Sequence, residues 1–289
     1  MRKKPTPSPP SSDKPGSTTP RVAAKEITSV VFGGQLIAPW YPSSYPSKLL
    51  GDASFKNGRL YVCEHCFKYT PDVARALGHQ KFCTLARGEM LGTLMYSHGG
   101  CDIYEVDGAE EPLFCQSLSL FAKFFLDTKG VCYETRSFLF YTLIGTCGTT
   151  GRKRVLGFFS KEKISWDDYN LACILVFPPF QKKGLGKLLI AFSYELSRGA
   201  GKMGSPEKPL SDLGHKGYIA YWSTCIAKVI RDSEKDSISI NDLSKATYIQ
   251  PDDIKAALDS MGVIQMDRWR HEVDEAYTIN PEGMMVRQC

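Results

Sequence analysis

The sequence predicts an α/β (α+β) fold, in which a twisted mixed sheet is flanked by a cysteine-rich segment before it and short helices after it. Three observations predict this. A continuous apolar run, residues 171–177, stops at Pro178-Pro179 and leads through a Gly-rich turn into an amphipathic helix. Upstream, two apolar β-prone runs, 138–144 and 155–159, are joined by a Gly/Thr/Lys/Arg stretch that reads as a hairpin loop. After residue 217 the pattern changes to helices separated by tight breaks. The expected organisation is a tail over 1–28, an N-terminal segment over 29–115, a core over 116–216 and a helical C-terminal segment over 217–289.

The chain of 289 residues is long enough for one large domain or two small ones. Its 43% hydrophobic and 23% charged residues exclude a wholly disordered or collagen-like chain. The run at 171–177 is the longest tight apolar stretch, far short of the ~20 residues a spanning helix needs, so no membrane partner is expected. Residues 1–28 mix Pro, Ser, Thr and Lys with almost nothing to bury, which predicts a disordered tail. Residues 1–20 lack the apolar run of a secretory signal. Of the net charge of +5, +4 falls within residues 1–30. The near-neutral body argues against a domain built to clamp nucleic acid.

Order is expected to begin near Val30, with Val30, Val31 and Phe32. Helical spacing of Leu118, Phe121, Ala122 and Phe125 predicts a helix over 117–126. The run at 171–177 has the pattern of a strand covered on both faces. Leu185, Leu188, Leu189, Phe192 and Leu196 share one face of a helix that starts near Gly184 and ends before Gly199. A helix over 218–230 follows. Then a short helix over 241–247 and another opened by Pro251 and closed by Gly262 form a helix-turn-helix pattern. Asp252, Asp253 and Asp259 give its second helix poor charge for a phosphate backbone, so direct sequence-specific DNA binding is not expected.

Ten cysteines are many for a chain without a recognisable secretory signal. Cys63-x2-Cys66 is followed by twelve residues and His79-x3-Cys83, a spacing that suits tetrahedral zinc within a finger at 63–83. The first pair sits on a tight knuckle, and His79 and Cys83 share a helical face, with Leu77 and Phe82 expected to pack under the metal. His65 reads as a bystander. Cys101, Cys115, Cys132, Cys147 and Cys225 are expected to be buried as small hydrophobes.

After the strand at 171–177 comes Gln181-Lys182-Lys183-Gly184-Leu185-Gly186-Lys187. A Gly-rich turn at a helix start presents unpaired N–H groups at its positive end, a site for phosphate or pyrophosphate. A nucleoside-triphosphate loop fails, because Gly186-Lys187 is followed by Leu188 and the upstream Gly is missing. A dinucleotide fingerprint fails, because Leu189 stands where a third Gly is needed. Gln-x-x-Gly-x-Gly remains, the pyrophosphate loop of acetyl-CoA-dependent N-acetyltransferases.

Joined to 171–175 and to 204–214 (GSPEKPLSDLG), that loop resembles the MYST family of histone acetyltransferases. The resemblance covers 33–264. It takes in the cysteine cluster, Trp40-Tyr41, Tyr45-Pro46, residues 138–141 and 157–161, Tyr221-Trp222 and the helix-turn-helix. Residues 174–179, 184–186 and 113–115 are most similar to the fungal silencing-type member acting on histone H4. The resemblance implies an acetyl-CoA-binding α/β core with a zinc-bearing N-terminal segment and a helix-turn-helix C-terminal segment. It also implies a nuclear enzyme with acetyl-CoA as co-substrate, structural Zn²⁺, a histone tail as substrate and accessory subunits as partners.

Carried over residue by residue, the resemblance makes Glu207 the general base and puts Cys173 in the active site. A lone Glu between prolines is otherwise an ordinary solvated loop charge. A base is needed because a lysine ammonium, with a pKa near ~10.4, cannot attack a thioester until it loses a proton. Partial burial of Glu207 is expected to suit it to that task. Direct attack by lysine is favoured over a relay through acetylated Cys173. N–H groups of Gln181 to Gly186 would bind pyrophosphate, Leu185 among them, with charge from Lys182, Lys183 and Lys187. Ile174 and Val176 would bind the pantetheine arm by strand-edge hydrogen bonds. Ser211 matches a family cofactor contact, whereas a second family serine is Ala220 here. Lys129 aligns with the lysine the family acetylates on itself. An acetyltransferase for non-histone lysines or small amines would share the loop and base. A non-catalytic chromatin-binding module is disfavoured, because Glu207, Cys173 and the loop glycines are all present.

Overall fold

The computed structural model describes residues 26–53, 55, 57–127, 130, 133–146, 151–233 and 237–263. Most of the expected tail, Lys129, Cys132, Cys147 and residues 264–289 lie outside them. Order is established before the boundary expected at residue 28: Ile27 packs against the core, and the Thr28 N–H donates to the Gly58 carbonyl at 2.8 Å.

Two sheets carry the architecture. The first has the order β2-β1-β3-β4, from β1 (Ser29–Phe32), β2 (Gln35–Ile37), β3 (Arg59–Val62) and β4 (Tyr69–Thr70). It is mixed, since β1 and β3 run parallel while the other pairs are antiparallel. A short α1 (Ser47–Gly51) lies between β2 and β3, and α2 (Val73–Phe82) follows β4. The second sheet is β5-β6-β7-β8-β9 and antiparallel throughout. Its strands are β5 (Thr93–His98), β6 (Cys101–Asp107), β7 (Phe138–Thr146), β8 (Lys153–Glu162) and β9 (Cys173–Val176). β5 and β6 come from residues expected in the N-terminal segment, so the sheet does not divide at residue 115.

Between β6 and β7 runs α3 (Pro112–Lys123), which starts earlier than the apolar spacing alone suggests because Pro112 is pre-set for a first helical position. Its Phe121 stacks on Phe32 with ring centroids 4.5 Å apart. Phe67 of the cysteine knuckle and Phe177 beyond β9 join the same cluster. Each such ring pair adds ~0.5–1.5 kcal/mol beyond area burial. The first sheet, α3 and one face of the second sheet therefore share one core.

α4 (Leu185–Gly199) covers the other face of the second sheet through Leu189, packed with Ile103, Tyr141, Leu143, Phe159 and Leu171. Behind it, α5 (Asp212–Arg231), α6 (Ile240–Thr247) and α7 (Pro251–Ser260) form a core of their own around Tyr218, Trp222, Leu243 and Ile254. α5 begins six residues before the expected Tyr218: the Ser211 hydroxyl accepts from the Gly214 N–H at 3.1 Å and caps it. α6 and α7 flank a three-residue break as expected.

The apolar run at 171–177 is covered on both faces as expected, with Leu175 and Phe177 in the core shared with α3 and Leu171, Ile174 and Val176 packed on the α4 side, yet it lies at the rim of the sheet. β9 is an edge strand, paired only with β8 among the described strands, and Ala172, Cys173, Ile174 and Val176 are half-buried. The Ala172 and Phe177 N–H groups both donate to β8, to Ser160 and Leu156. Within β9 the register is continuous, Cys173 to Val176 facing Ser160 to Gly157, so the change of parity falls at Ala172, before the strand. Opposite, a Cβ on Gly157 would meet the Leu175 carbonyl oxygen at 2.5 Å, so the two backbones approach as only glycine permits. No helix among the described residues is long and apolar enough to cross a membrane.

Candidate functional site

The metal centre is assembled locally. β3 ends at the knuckle, where the Phe67 N–H donates to the Cys63 carbonyl at 3.0 Å and the Cys63 N–H to the Lys68 carbonyl at 2.9 Å. Phe67 takes a left-handed φ of 61°, costly for a bulky residue, and its ring is fully buried in the aromatic core. The Asp72 carboxylate accepts the Ala74 and Arg75 N–H groups and starts α2. That helix delivers His79 in its last turn and Cys83 at its C-cap, whose N–H donates to the His79 carbonyl at 2.9 Å.

The ligand atoms of Cys63, Cys66, His79 and Cys83 all lie within 4.8 Å of one another. Cys63 Sγ and Cys83 Sγ are 3.9 Å apart, close to the ~3.8 Å edge of a tetrahedron with Zn–S bonds of ~2.3 Å. A hydrogen bond from Cys66 drives the Cys63 thiol well below its ordinary value, and the same bond drives Cys66 up. Three sulfurs and one imidazole fit zinc. His65 is outside the group; it is buried, with Nε2 3.7 Å from Glu64. Leu77 and Phe82 do not pack under the metal. They are 56% and 75% exposed and line an open cleft that α2 shares with the first sheet. Of the other cysteines, Cys115 is fully buried and its thiol is pushed up to about 12 by burial, while Cys101 and Cys225 are only half-buried.

The second centre is assembled from distant segments. A cavity of 450 Å³ is lined by Leu171 to Ile174, by Pro206, Glu207 and Ser211, and by Tyr218. The loop carrying Glu207 adds to the upstream end of β9: Leu171 bridges Pro206 in parallel, and the Glu207 N–H donates to the Leu171 carbonyl at 2.8 Å. This brings Cys173, Ile174, Glu207 and Ser211 into one cavity. Cys173 is half-buried, not enclosed. Glu207 is exposed, so the partial burial expected of it is absent here. Tyr218 is fully buried, with a hydroxyl that has no hydrogen-bond partner among the described residues, and burial followed by the Asp253 charge pushes its phenol up.

Sequence reasoning gave no role to several lining residues. Trp40, Tyr41, Phe125, Leu126 and Asp127 form the opposite wall. The Trp40 and Tyr41 N–H groups both donate to the Phe124 carbonyl, and Trp40 packs edge-on against Phe125. The adjacent aromatics Trp40-Tyr41 were the available signal, but nothing local says which helix end they meet.

The glycine-rich loop does not line this cavity. It continues from β9 through a short 3₁₀ turn (Pro178–Phe180) to the start of α4. Gly184, with φ of 77°, is the N-cap, and no side chain caps the helix. The leading N–H groups therefore have no side-chain cap, an arrangement that can accept an anion. Gln181 Nε2 donates to the Val176 carbonyl at 2.9 Å, so that carbonyl is engaged within the protein. Lys182 and Lys183 are exposed, whereas Lys187 reaches across to the Thr224 hydroxyl at 3.4 Å.

Comparisons with known proteins agree with this layout. Residues 89–285 match the model of the MOZ/SAS family, and residues 24–83 match that of the MYST family zinc finger domain. Histone acetyltransferase MOF of Drosophila melanogaster is 44% identical over 83% of this chain and 28% of its own length. Histone acetyltransferase mst2 of Schizosaccharomyces pombe is 41% identical over 86% of this chain and 59% of its own. The Tip60 homolog of Caenorhabditis elegans is 40% identical over 82% and 51%. The chain thus spans less than two thirds of each relative's length. A solved aminoglycoside acetyltransferase from a soil metagenomic sample overlaps 43% of this chain and 87% of its own at 15% identity, with a TM-score of 0.30, and nothing below rests on it.

Proposed function

The chain belongs to the MOZ/SAS family, and from that premise we propose that it is a histone lysine N-acetyltransferase, moving an acetyl group from acetyl-CoA to a lysine of a histone tail. One observation carries the reading: Cys173, Ile174, Glu207 and Ser211, far apart in sequence, line a single cavity at the open edge of β9. That strand runs on into an uncapped, glycine-started helix fit for a pyrophosphate.

Acetyl-CoA, the co-substrate, supplies a thioester carbonyl as electrophile. Its diphosphate lies against the N–H groups of 181–187, with Lys182 and Lys183 adding charge, and its pantetheine arm runs along Ile174 and Val176. With the Val176 carbonyl held by Gln181, the arm's hydrogen bonds at that residue fall to its N–H. Glu207 takes a proton from the lysine ammonium. The neutral nitrogen attacks the carbonyl, the C–S bond breaks, and the leaving thiolate takes up a proton. Asp127 and Asp212, exposed in the lining of the same cavity as Glu207, give the mouth a negative field that suits a cationic substrate. Seating of the substrates desolvates Glu207, which is exposed without them. Cys173 packs beside the acetyl group, and lysine attacks directly. Ser211 contacts the co-substrate from the helix end it caps. Lys129, the autoacetylation candidate, is outside the described residues.

The resemblance to the fungal silencing-type member supports histone H4 as substrate, accessory subunits as partners and the nucleus as location. The test incubates the protein with labelled acetyl-CoA and separate histone H3 and H4 tail peptides, with and without candidate subunits. Label on an H4 lysine is expected. Transfer to H3 alone overturns the H4 assignment, and transfer to neither overturns the enzymatic reading.

A further inference from the structure

Asp253 sits in the first turn of α7 and is 1% exposed. A carboxylate so placed is costly unless paired. Its neighbour Asp252 serves the same helix N-terminus while largely exposed, so favouring the helix dipole does not require burial. Asp253 Oδ1 accepts from Lys208 Nζ at 2.7 Å, while Oδ2 is buried without a hydrogen-bond partner among the described atoms. Lys208 is the residue after Glu207.

The rest of the loop is held from the same two sides. The Gly204 N–H donates to the Tyr248 carbonyl at 2.7 Å, and the Gln250 N–H to the Gly204 carbonyl at 3.1 Å, both within the break between α6 and α7. From the sheet side, the Asn170 N–H donates to the Ser205 carbonyl at 2.9 Å, and the Glu207 N–H to Leu171 at 2.8 Å. The two ends of the loop, Gly204 and Lys208, are thus held by the helix-turn-helix, and Ser205 to Glu207 between them by the sheet side, with Asp253 making the last contact. It also lies close enough to Tyr218, in the cavity wall, for its charge to disfavour phenol ionisation.

We propose that Asp253 is a positioning residue for acetyl transfer: through Lys208 it fixes the backbone of Glu207, and with it the aim of the carboxylate at the incoming lysine. The inference rests on Glu207 being the base. It gives the helix-turn-helix a role that needs no nucleic acid, as a clamp on the catalytic loop.

The test uses the full chain with the subunits its activity requires, and the variants Lys208→Gln, Asp253→Asn, the double change and Lys208→Arg. Misplacement of a base costs about ten- to a hundredfold in rate. Each single change is therefore expected to lower kcat about tenfold while KM for acetyl-CoA and peptide stays within about twofold. The double variant should be no slower than the slower single, because both break one contact. Lys208→Arg should keep most of the rate, its fork offering donors to both Asp253 oxygens. Wild-type kcat in Lys208→Gln, a multiplicative loss in the double variant, or a loss confined to KM overturns the proposal. Lys208→Gln strands the buried Asp253 carboxylate, so if either single change fails to fold, the double change, which leaves no unpaired charge, carries the kcat comparison, and wild-type kcat in it overturns the proposal. If the wild type transfers no acetyl group, the functional reading fails, and amide exchange decides the clamp by itself. Exchange over 204–210 should quicken in Lys208→Gln with the rest of the chain unchanged, and unchanged exchange there overturns it.

Discussion

The metal centre and the cavity at the edge of β9 are built on opposite plans. The four ligands of the first lie within residues 63–83, on one knuckle and one helix. The second takes its walls from the segment before α1, the end of α3, the start of β9, the loop after α4 and the start of α5. A local site is set by spacing, and its geometry follows once a turn and a helix form. An assembled site exists only when sheet, loop and helix-turn-helix have met. Yet the local site is not isolated: Phe67, adjacent to Cys66, stacks into the core that also holds Phe121 and Phe177.

That link makes zinc the largest test of the comparison. Structural zinc contributes on the order of 10 kcal/mol in small fingers. Cys83→Ser, or removal of metal with a chelator, should release zinc and disorder residues 60–90. Because Phe67 belongs to the shared core, it should also lower the melting temperature of the whole chain rather than of the finger alone. A calorimetric scan in which the main transition is unmoved would show the two regions to be independent, and wild-type protein without bound zinc would remove the metal reading.

Glu207→Gln comes next. Loss of a general base should cut turnover ~10²- to 10⁴-fold at neutral pH, with fold and acetyl-CoA binding intact. Raising the pH should restore part of the rate, since more lysine is then neutral. Wild-type turnover at pH 7 would take Glu207 out of the mechanism.

Cys173→Ala should cost only a few-fold, through a small void and looser positioning. Cys173 is half-buried on an edge strand, and none of the described residues lining its cavity is a His that could hold a thiolate. The variant must first be shown to bind acetyl-CoA normally. A trapped acetyl-enzyme that passes its label to peptide, and is lost in the alanine variant, would establish the relay instead.

The smallest effect sharpens the point that sequence separation alone does not make a contact matter. Lys163 Nζ donates to Asp107 Oδ1 across 56 residues, and that bond holds the Asp107 carboxyl below its ordinary value. A lowered carboxyl adds stability that is present above its unfolded pKa, near ~3.9, and lost as pH falls through the folded value. Lys163→Gln should therefore lower stability at pH 7 by less than about 1 kcal/mol, with the difference vanishing in acid. Urea titrations at pH 7 and pH 3 measure it, and an equal deficit at both would point to lost packing instead.

The sequence by itself determined whatever is written within one turn of chain. The Cys63-Cys66-His79-Cys83 spacing became a ligand group, the glycine before Leu185 became a left-handed helix start, and Pro251 opened α7. Where two local signals competed, it misled. Gly214 and Gly217 obscured the start of α5, which the Ser211 cap in fact sets. β5 carries almost no buried side chain, so no alternation announced it. Tertiary structure alone decided that the apolar run at 171–177 is an edge, that Leu77 and Phe82 stay exposed, and that Glu207 and Cys173 line one cavity. The physical reason is common to all three. Apolar periodicity records that a side chain prefers to leave water, but not which partner receives it. Pairing of Leu171 with Pro206, and of Gly204 with Ile249, joins backbone groups that carry no side-chain signature.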